Sequence, residues 1–537
     1  MAEEKKETKK PCLAKRILKW IGLMVLSTLI IAALVFQAPW KVTTLLVIIL
    51  AACTILPKPY RKWFWLSAAG VVVALIIWVF LPDDVEGWKP YTFDEELAAM
   101  EAKYAVADEE NAATIYNTLL ASYDANDFEP NLADADIDFS DLVHSGPWTS
   151  EDYPEAAKWL NGHQGTINTL MEAAKREKCL FPIQADPLSI GYTMDRLAPM
   201  RRWTYLLICA GNNEIGEANI NNGIEKYISV LQMGKHQCQQ PTVIDALVGI
   251  AIENLALSRI NRLIITGEVT EGHISIIEKA LANVKHEWRS DFPKFIEHDK
   301  LLAKNFWGIY YEVNTKGKIR ISPNPMATIR SQCPEETPPL TYWQRIMAKS
   351  TTVLGRFCLP ATPQKMGKII DECYEKYYAM AGPDYDWQKQ AEKPSSMFRL
   401  NYSYLVEYTT GMLEPAYHSI HDIYLRLDAD KRCGQIIIAL RRYKNKNGSW
   451  PGSLEEVKSF APSETFIDPI NNSSFVYKLT EKDFTLYSKG KNNIDEDGQY
   501  NSRWDYKNRR QVVEKDDLLI WPSRSRKDKE EKENEQQ

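Results

Sequence analysis

Two carboxylates interrupt an otherwise apolar stretch of the chain, Asp245 and Glu253 within Val243–Ile265. A helix would carry them on neighbouring faces, and if burial drew their proton affinities apart, one could act as acid and the other as base in hydrolysis. The same groups would equally pair with Arg201, Arg202 or Arg259 and fix the register of packed helices. Glu414, His418 and His421 stand at i, i+4 and i+7 on one helix face, where two imidazoles and a carboxylate suit zinc. A plain polar face is the alternative, since neither an H-E-x-x-H arrangement nor a fourth ligand accompanies them. Asn493, Asp495 and Asp497 place oxygens at alternate positions of an acidic loop closed by Gly498, a spacing that suits calcium. It is not an EF-hand, because Trp504 stands where the closing Glu belongs, and a solvated turn would account for the loop as well. No G-x-S-x-G, phosphate-binding loop or dinucleotide fingerprint occurs, so the sequence leans away from an enzyme.

The elements that must hold these residues read mostly as helices. Thr92-Phe93-Asp94-Glu95 is a capping box opening a helix to about Tyr123, followed by a loop-like stretch over 124–148 and a helical stretch from Glu151 to Cys179. Arg201–Cys209, Ile215–Met233, Val243–Ile265 and Glu271–Val284 then read as antiparallel helices. The breaks between them carry turn and cap residues, Gly-Asn-Asn, Gln-Gln-Pro-Thr and Gly-Glu-Val-Thr. Trp288–Tyr311, Tyr342–Phe357, Gln364–Met380 and Leu413–Lys446 continue the pattern around a Pro-rich loop, Ile321–Pro339. After Asn447-Gly448 the character changes. A second capping box, Ser453–Glu456, opens a short helix to about Phe460; Phe475–Leu479 and Phe484–Tyr487 alternate as a hairpin, and Leu518–Trp521 suits a third strand.

Ahead of all this lie three apolar runs, Ile17–Phe36, Val42–Leu56 and Phe64–Leu81. The first and third have the length of about 20 residues that crosses a bilayer as a helix; the second is short, about 22 Å at ~1.5 Å per residue. Lysines and arginines cluster before the first run and between the second and third, whereas Asp83, Asp84 and Glu86 follow the third. That asymmetry puts the amino terminus inside and the large domain outside. A re-entrant second run would reverse the domain's side, and a cleaved signal peptide is the competing reading of the first. The chain has 537 residues and a net charge of −6, without a basic patch of the kind that binds nucleic acid. Of its cysteines, seven fall after the apolar runs, an odd number without a C-x-x-C pair, so free, buried thiols are expected rather than a disulfide framework.

Ala439-Leu440-Arg441-Arg442-Tyr443, Asn447-Gly448-Ser449-Trp450-Pro451, Asp468-Pro469, Phe475-Val476-Tyr477 and Phe484–Gly490 with the Asp495–Gly498 loop form a recognisable set. Together they resemble the carboxyl-terminal half of the major pseudopilins of type II secretion, over about 60 residues, where a long helix feeds a small antiparallel sheet. The same tail is similar to one in a family of bacterial membrane-anchored helical proteins with no assigned activity, as are Gln240–Ile244 and Gly249–Glu253. No Gly-Phe-Thr-Leu-x-Glu processing site precedes any apolar run, so the likeness carries shape rather than pilus assembly. The resemblance also implies calcium near the Asn493–Gly498 loop, the one cofactor expected.

These readings combine into a mainly α chain: a three-span membrane anchor, an all-α domain of helical-repeat-like or bundle type, and a small C-terminal α+β module with an antiparallel sheet. The expected divisions are a basic cytoplasmic tail (1–16), three transmembrane helices (17–81), the exported all-α domain (82–430), the pseudopilin-like module (431–522) and a disordered charged tail (523–537). The expected function is a binding or scaffold protein of the bacterial envelope, multi-pass in the inner membrane, with its amino terminus cytoplasmic and its large domain outside. Its expected partners are the lipid bilayer and another envelope protein or polymer, with no nucleic acid. A membrane-tethered hydrolase using the acidic residues, or a metal on His418 and His421, is the alternative, and an accessory of a secretion or pilus-like system is a third.

Overall fold

The computed structural model describes residues 86–124, 128–130, 132, 138–185, 190–322, 325, 359–360, 362–387, 414–505 and 510–522. Described helices run, in chain order, as α1 (Asp94–Tyr104), α2 (Ala113–Leu120), α3 (Phe139–His144), α4 (Pro154–Gly162), α5 (Gln164–Ala174), α6 (Ile190–Gly216), α7 (Ile220–Cys238), α8 (Val243–Thr266), α9 (Glu271–Asn283), α10 (Trp288–Gly308), α11 (Pro363–Tyr378) and α12 (Glu414–Asn447). The strands are β1 (Trp88–Pro90), β2 (Tyr311–Asn314), β3 (Ile319–Ile321), β4 (Val476–Leu479), β5 (Phe484–Ser488), β6 (Tyr500–Asp505), β7 (Arg510–Asp516) and β8 (Leu518–Trp521). The chain divides into two compact units, one of Met1–Glu96, Lys300–Met380 and Gln388–Pro415, the other of Leu97–Asp299, Ala381–Trp387 and Ala416–Gln537.

In the first unit, β1, β2 and β3 form an antiparallel sheet in that order, with Trp88 opposite Asn314 and Tyr311 opposite Ile321. Buried Glu312 accepts from Arg320 and Ser322, and Lys304, almost fully buried, is held by Glu96 and Asp371. This sheet corrects the expectation of an all-α domain. Its strands are too short to show a two-residue period, and β1 lies more than two hundred residues from its partner.

The second unit is built on α8. Thr242 caps it by accepting from the Asp245 amide, and it buries residues on every side, as a helix in the middle of a bundle must. It packs against α7, which packs against α6. Two glycines allow the α7–α8 approach. A methyl group added at Gly249 would stand 2.5 Å from Cys238 Sγ and 2.6 Å from the Gly234 carbonyl oxygen; one at Gly234 would stand 2.5 Å from Glu253 Cγ. Backbone therefore meets backbone at Gly234 and Gly249, and the side chains one turn on, Cys238 and Glu253, each lie over the opposite glycine.

α12, 34 residues long, joins α8 and α9 to the carboxyl-terminal module. Arg441 donates to the carbonyls of Ile265 and Gly267 at the end of α8, where the helix dipole favours a cation. Arg442 pairs with Glu271 and Glu278 of α9, and Arg432 donates to the carbonyls of Glu464 and Ile467. Beyond the Ser453 capping box come a sheet ordered β4–β5–β8 and a separate β6–β7 hairpin lying between β5 and β8 in sequence. Phe484, Leu486 and Tyr487 of β5 are fully buried.

The expected helix from Asp94 to about Tyr123 is interrupted. Arg176 donates to the carbonyls of Asp108 and Asn111, and the Asn111 amide group exchanges bonds with the Leu180 backbone. Tertiary hydrogen bonds thus override a run with good helix formers.

The reading of a three-span, multi-pass inner-membrane protein is also corrected: among the described residues, no helix is long and apolar enough to cross a membrane. Even α8, 24 residues long, carries Asp245, Glu253, Arg259 and Arg262, and its apolar sides meet other helices. The runs between Ile17 and Leu81 that suggested the anchor lie outside the described residues. So do the 1–16 tail, Tyr342–Phe357 and the 523–537 tail.

Gly249→Ala should destabilise the protein by about 3 kcal/mol, because backbone atoms must move to admit the methyl group. Gly165→Ala, in an open position of α5, should be neutral or stabilising by up to ~1 kcal/mol. Urea midpoints of the two variants decide the matter, and equal effects would dismiss the close crossing.

Candidate functional site

Asp245 and Glu253 share α8 but serve separate pairs. Asp245, in the first turn, is buried and accepts from Arg196 Nη2 at 2.5 Å and from Thr242 Oγ1 at 2.7 Å. Arg196 also lies 4.2 Å over the Phe181 ring. The pairing cation is thus neither Arg201, Arg202 nor Arg259; Arg202 meets Glu129, and Arg259 donates to the His144 carbonyl.

Glu253 is fully buried and lies among groups from three other segments. His286 Nε2, from the extended connection between α9 and α10, stands 2.6 Å from Oε1. Lys431 Nζ, from α12, is 3.1 Å from Oε2 and also donates to the Val284 carbonyl at 3.2 Å. Cys238 Sγ, a Glu253 oxygen and a His286 nitrogen all lie within 4.8 Å of one another. The Tyr424 ring stands 6.1 Å from that of His286, and its buried hydroxyl has no hydrogen-bond partner among the described residues. Burial pushes the Glu253 carboxyl up, but Lys431 and His286 together outweigh it, and the group ends below its usual value. Burial, with Glu253 adding to it, drives the Cys238 thiol far up, so it is no nucleophile in this setting. Outside the cluster opens a cavity of about 330 Å³ whose wall includes His286, Tyr424, Lys431, Arg432, Gln435 and Thr465. That volume is at the lower end of small-ligand sites.

The zinc reading gathers less. Glu414 opens α12, and its side chain lies outside the described residues. His421 stacks on Trp387 with centroids 3.7 Å apart and an interplanar angle of 3°, with the Trp288 ring edge-on at 5.0 Å. His418 contacts Tyr385 and Trp387. These imidazoles belong to an aromatic group, and among the described residues the grouping with metal-ligand spacing is Cys238, Glu253 and His286 instead. Burial holds His421 down to about 4, helped by Lys491 and His418.

In the acidic loop, Asn493 and Asp497 adopt left-handed backbone conformations. Asp497 takes Lys478 Nζ at 2.6 Å, Asp495 accepts from Tyr487 at 2.6 Å with Lys478 at 3.4 Å, and Asn493 accepts from Ser473. Lys478 thus pairs with two of the three residues of the calcium reading, Asp495 and Asp497.

Comparison of the chain with family models, curated proteins and solved structures returns no match. The site consequently rests on its own geometry. Of its members, the sequence points to Glu253 alone. Cys238 could have been found from the reciprocal spacing Gly234-x-x-x-Cys238 and Gly249-x-x-x-Glu253 across a tight turn, whereas His286 and Lys431 carry no local signal.

Glu253→Gln should lower stability by about 3–5 kcal/mol, since Lys431 would be left buried without its counter-charge. Glu253→Leu combined with Lys431→Met should recover most of that loss, and chemical denaturation of the three proteins reads the difference. The aromatic group gives a pH effect of defined sign. As pH falls through about 6.5 the unfolded chain binds the His421 proton, while the folded imidazole resists to about 4. Folding stability therefore declines across that interval and takes no further loss from this group below it. His421→Phe should show a shallower fall in melting temperature between pH 6.5 and 4 than the wild type.

Proposed function

We infer that the chain is a binding and scaffold protein, and that the cavity above Glu253 receives part of a protein or polymer partner. One observation carries this reading: each buried carboxylate is answered by a buried or near-buried cation, Asp245 by Arg196 and Glu253 by Lys431, with His286 also at hydrogen-bond distance of Glu253. A hydrolase needs one carboxyl free to give a proton and one free to take it, and these two are neither free nor paired with each other. What remains is a preformed concavity with donors in its wall, set where α9, α12 and the segment after Phe460 meet. Such a place suits recognition better than proton transfer.

The long helix running into a small antiparallel sheet, on which the pseudopilin likeness rests, supports a second reading as an accessory of a secretion or pilus-like machine. Recovery of secretion components with the tagged full chain would favour it, and their consistent absence would remove it.

A photo-crosslinking residue placed at Lys285, on the cavity wall, should yield a discrete adduct in cells producing the full chain. The same residue at exposed Lys158 should not. Glu464→Trp, at an exposed position on the cavity wall, should abolish the adduct without altering the melting temperature by more than a few degrees. Turnover of an ester, amide or glycoside that falls at least 100-fold in Glu253→Gln would replace the binding reading by the hydrolase.

A further inference from the structure

We propose that Cys238, Glu253 and His286 form a site for one thiophilic divalent cation of the zinc class, which exchanges with the Lys431 ammonium as the counter-charge of Glu253.

The donor set is one thiol, one imidazole and one carboxylate, the ligand types zinc combines in sites that keep an open position. The three ligand atoms lie within 4.8 Å of one another, and His286 Nε2 and Glu253 Oε1 are already 2.6 Å apart. Around a tetrahedral zinc, neighbouring ligand atoms stand ~3.5 Å apart, given metal–ligand distances of ~2.0–2.3 Å. Side-chain movements of about 1 Å would therefore enclose the ion. The backbone needs no rearrangement, because the Gly234–Gly249 crossing already holds Cys238 and Glu253 together.

A second, independent observation points to a cation. Glu253 is fully buried, and its Oε2 takes no aligned hydrogen bond; it faces only the charge of Lys431 at 3.1 Å. Lys431 lies at the edge of the 330 Å³ cavity, with 13% of its side chain exposed, and the Glu464 carboxylate lines the same space. The ammonium thus has a route outward and an acceptor to meet. Charge balances in both forms: the carboxylate with the ammonium, or the divalent ion with carboxylate and thiolate, the thiol proton leaving to solvent and the imidazole proton of His286 passing from Nε2 to Nδ1 so that Nε2 can ligate. His286 lines the cavity, from which a water would reach the fourth position. The inference is independent of the binding reading, since a partner can enter the cavity with either cation in place.

The test is titration of the full-length, chelator-dialysed protein with cobalt(II), whose thiolate charge-transfer absorption reports a sulfur ligand. One cobalt per chain should bind, be displaced by zinc, and lose its charge-transfer band in Cys238→Ser. His286→Gln should weaken binding at least tenfold, and Lys431→Met should strengthen it at least tenfold. Because Lys431→Met leaves Glu253 unpaired, its melting temperature should rise steeply on adding zinc, a readout that holds even if the metal-free variant is unfolded. Absence of the band in folded wild type, or a band that survives Cys238→Ser and so belongs to another thiol, would overturn the proposal.

Discussion

The second unit depends on the contact of two helices through bare backbone at Gly234 and Gly249. Because α7 and α8 approach so closely there, Cys238 and Glu253 are shut inside, and a buried carboxylate must find positive charge in its surroundings. The groups that answer it belong to segments far along the chain, the imidazole of His286 in a connection and the ammonium of Lys431 in α12. One steric choice on two helices thus sets an electrostatic requirement that determines which later segments dock and in what register.

Buried ion pairs contribute little net stability when formed and much instability when broken. Arg196–Asp245 and Glu253–Lys431 fit that description. They specify positions more than they stabilise, as does Arg441 at the end of α8, where a cation meets carbonyls left over by the helix. Apolar packing supplies the rest: α8 buries Ile250, Ile252, Leu257, Ile260 and Ile264, and α12 buries Ile436, Ile437 and Leu440.

Local signals in the sequence sufficed wherever structure is local. Thr242, Thr270 and Ser453 mark the starts of α8, α9 and the short helix after Pro451, and all three cap as their side chains allow. The strands β4 and β5 follow from alternation and β8 from a short apolar run. Legibility fails where distant segments decide. The β1–β2–β3 sheet joins short pieces far apart, and the interruption before α2 is imposed by Arg176 and Asn111. The β6–β7 hairpin, with its exposed Trp504 and Val513, lacks the buried face that produces a pattern. At the site, a carboxylate in an apolar run was visible from its surroundings, but its partners were not, because nothing within a helix turn of His286 or Lys431 refers to Glu253. The proposed partners of Asp245 missed Arg196 for the same reason. The apolar runs before residue 82 gave the membrane reading, to which none of the described helices lends support.

The separation of Glu253 from Lys431 has a consequence during synthesis. A ribosome adds about 5–20 residues per second, so the lysine follows the glutamate, some 180 positions earlier, by on the order of ten seconds or more. Through that interval α7 and α8 can pair with only the His286 imidazole beside the enclosed carboxylate. The nascent bundle is left with an incomplete interior until α12 emerges. For this chain the ion pair at the core of α7 and α8 is completed by the arrival of the carboxyl-terminal helix.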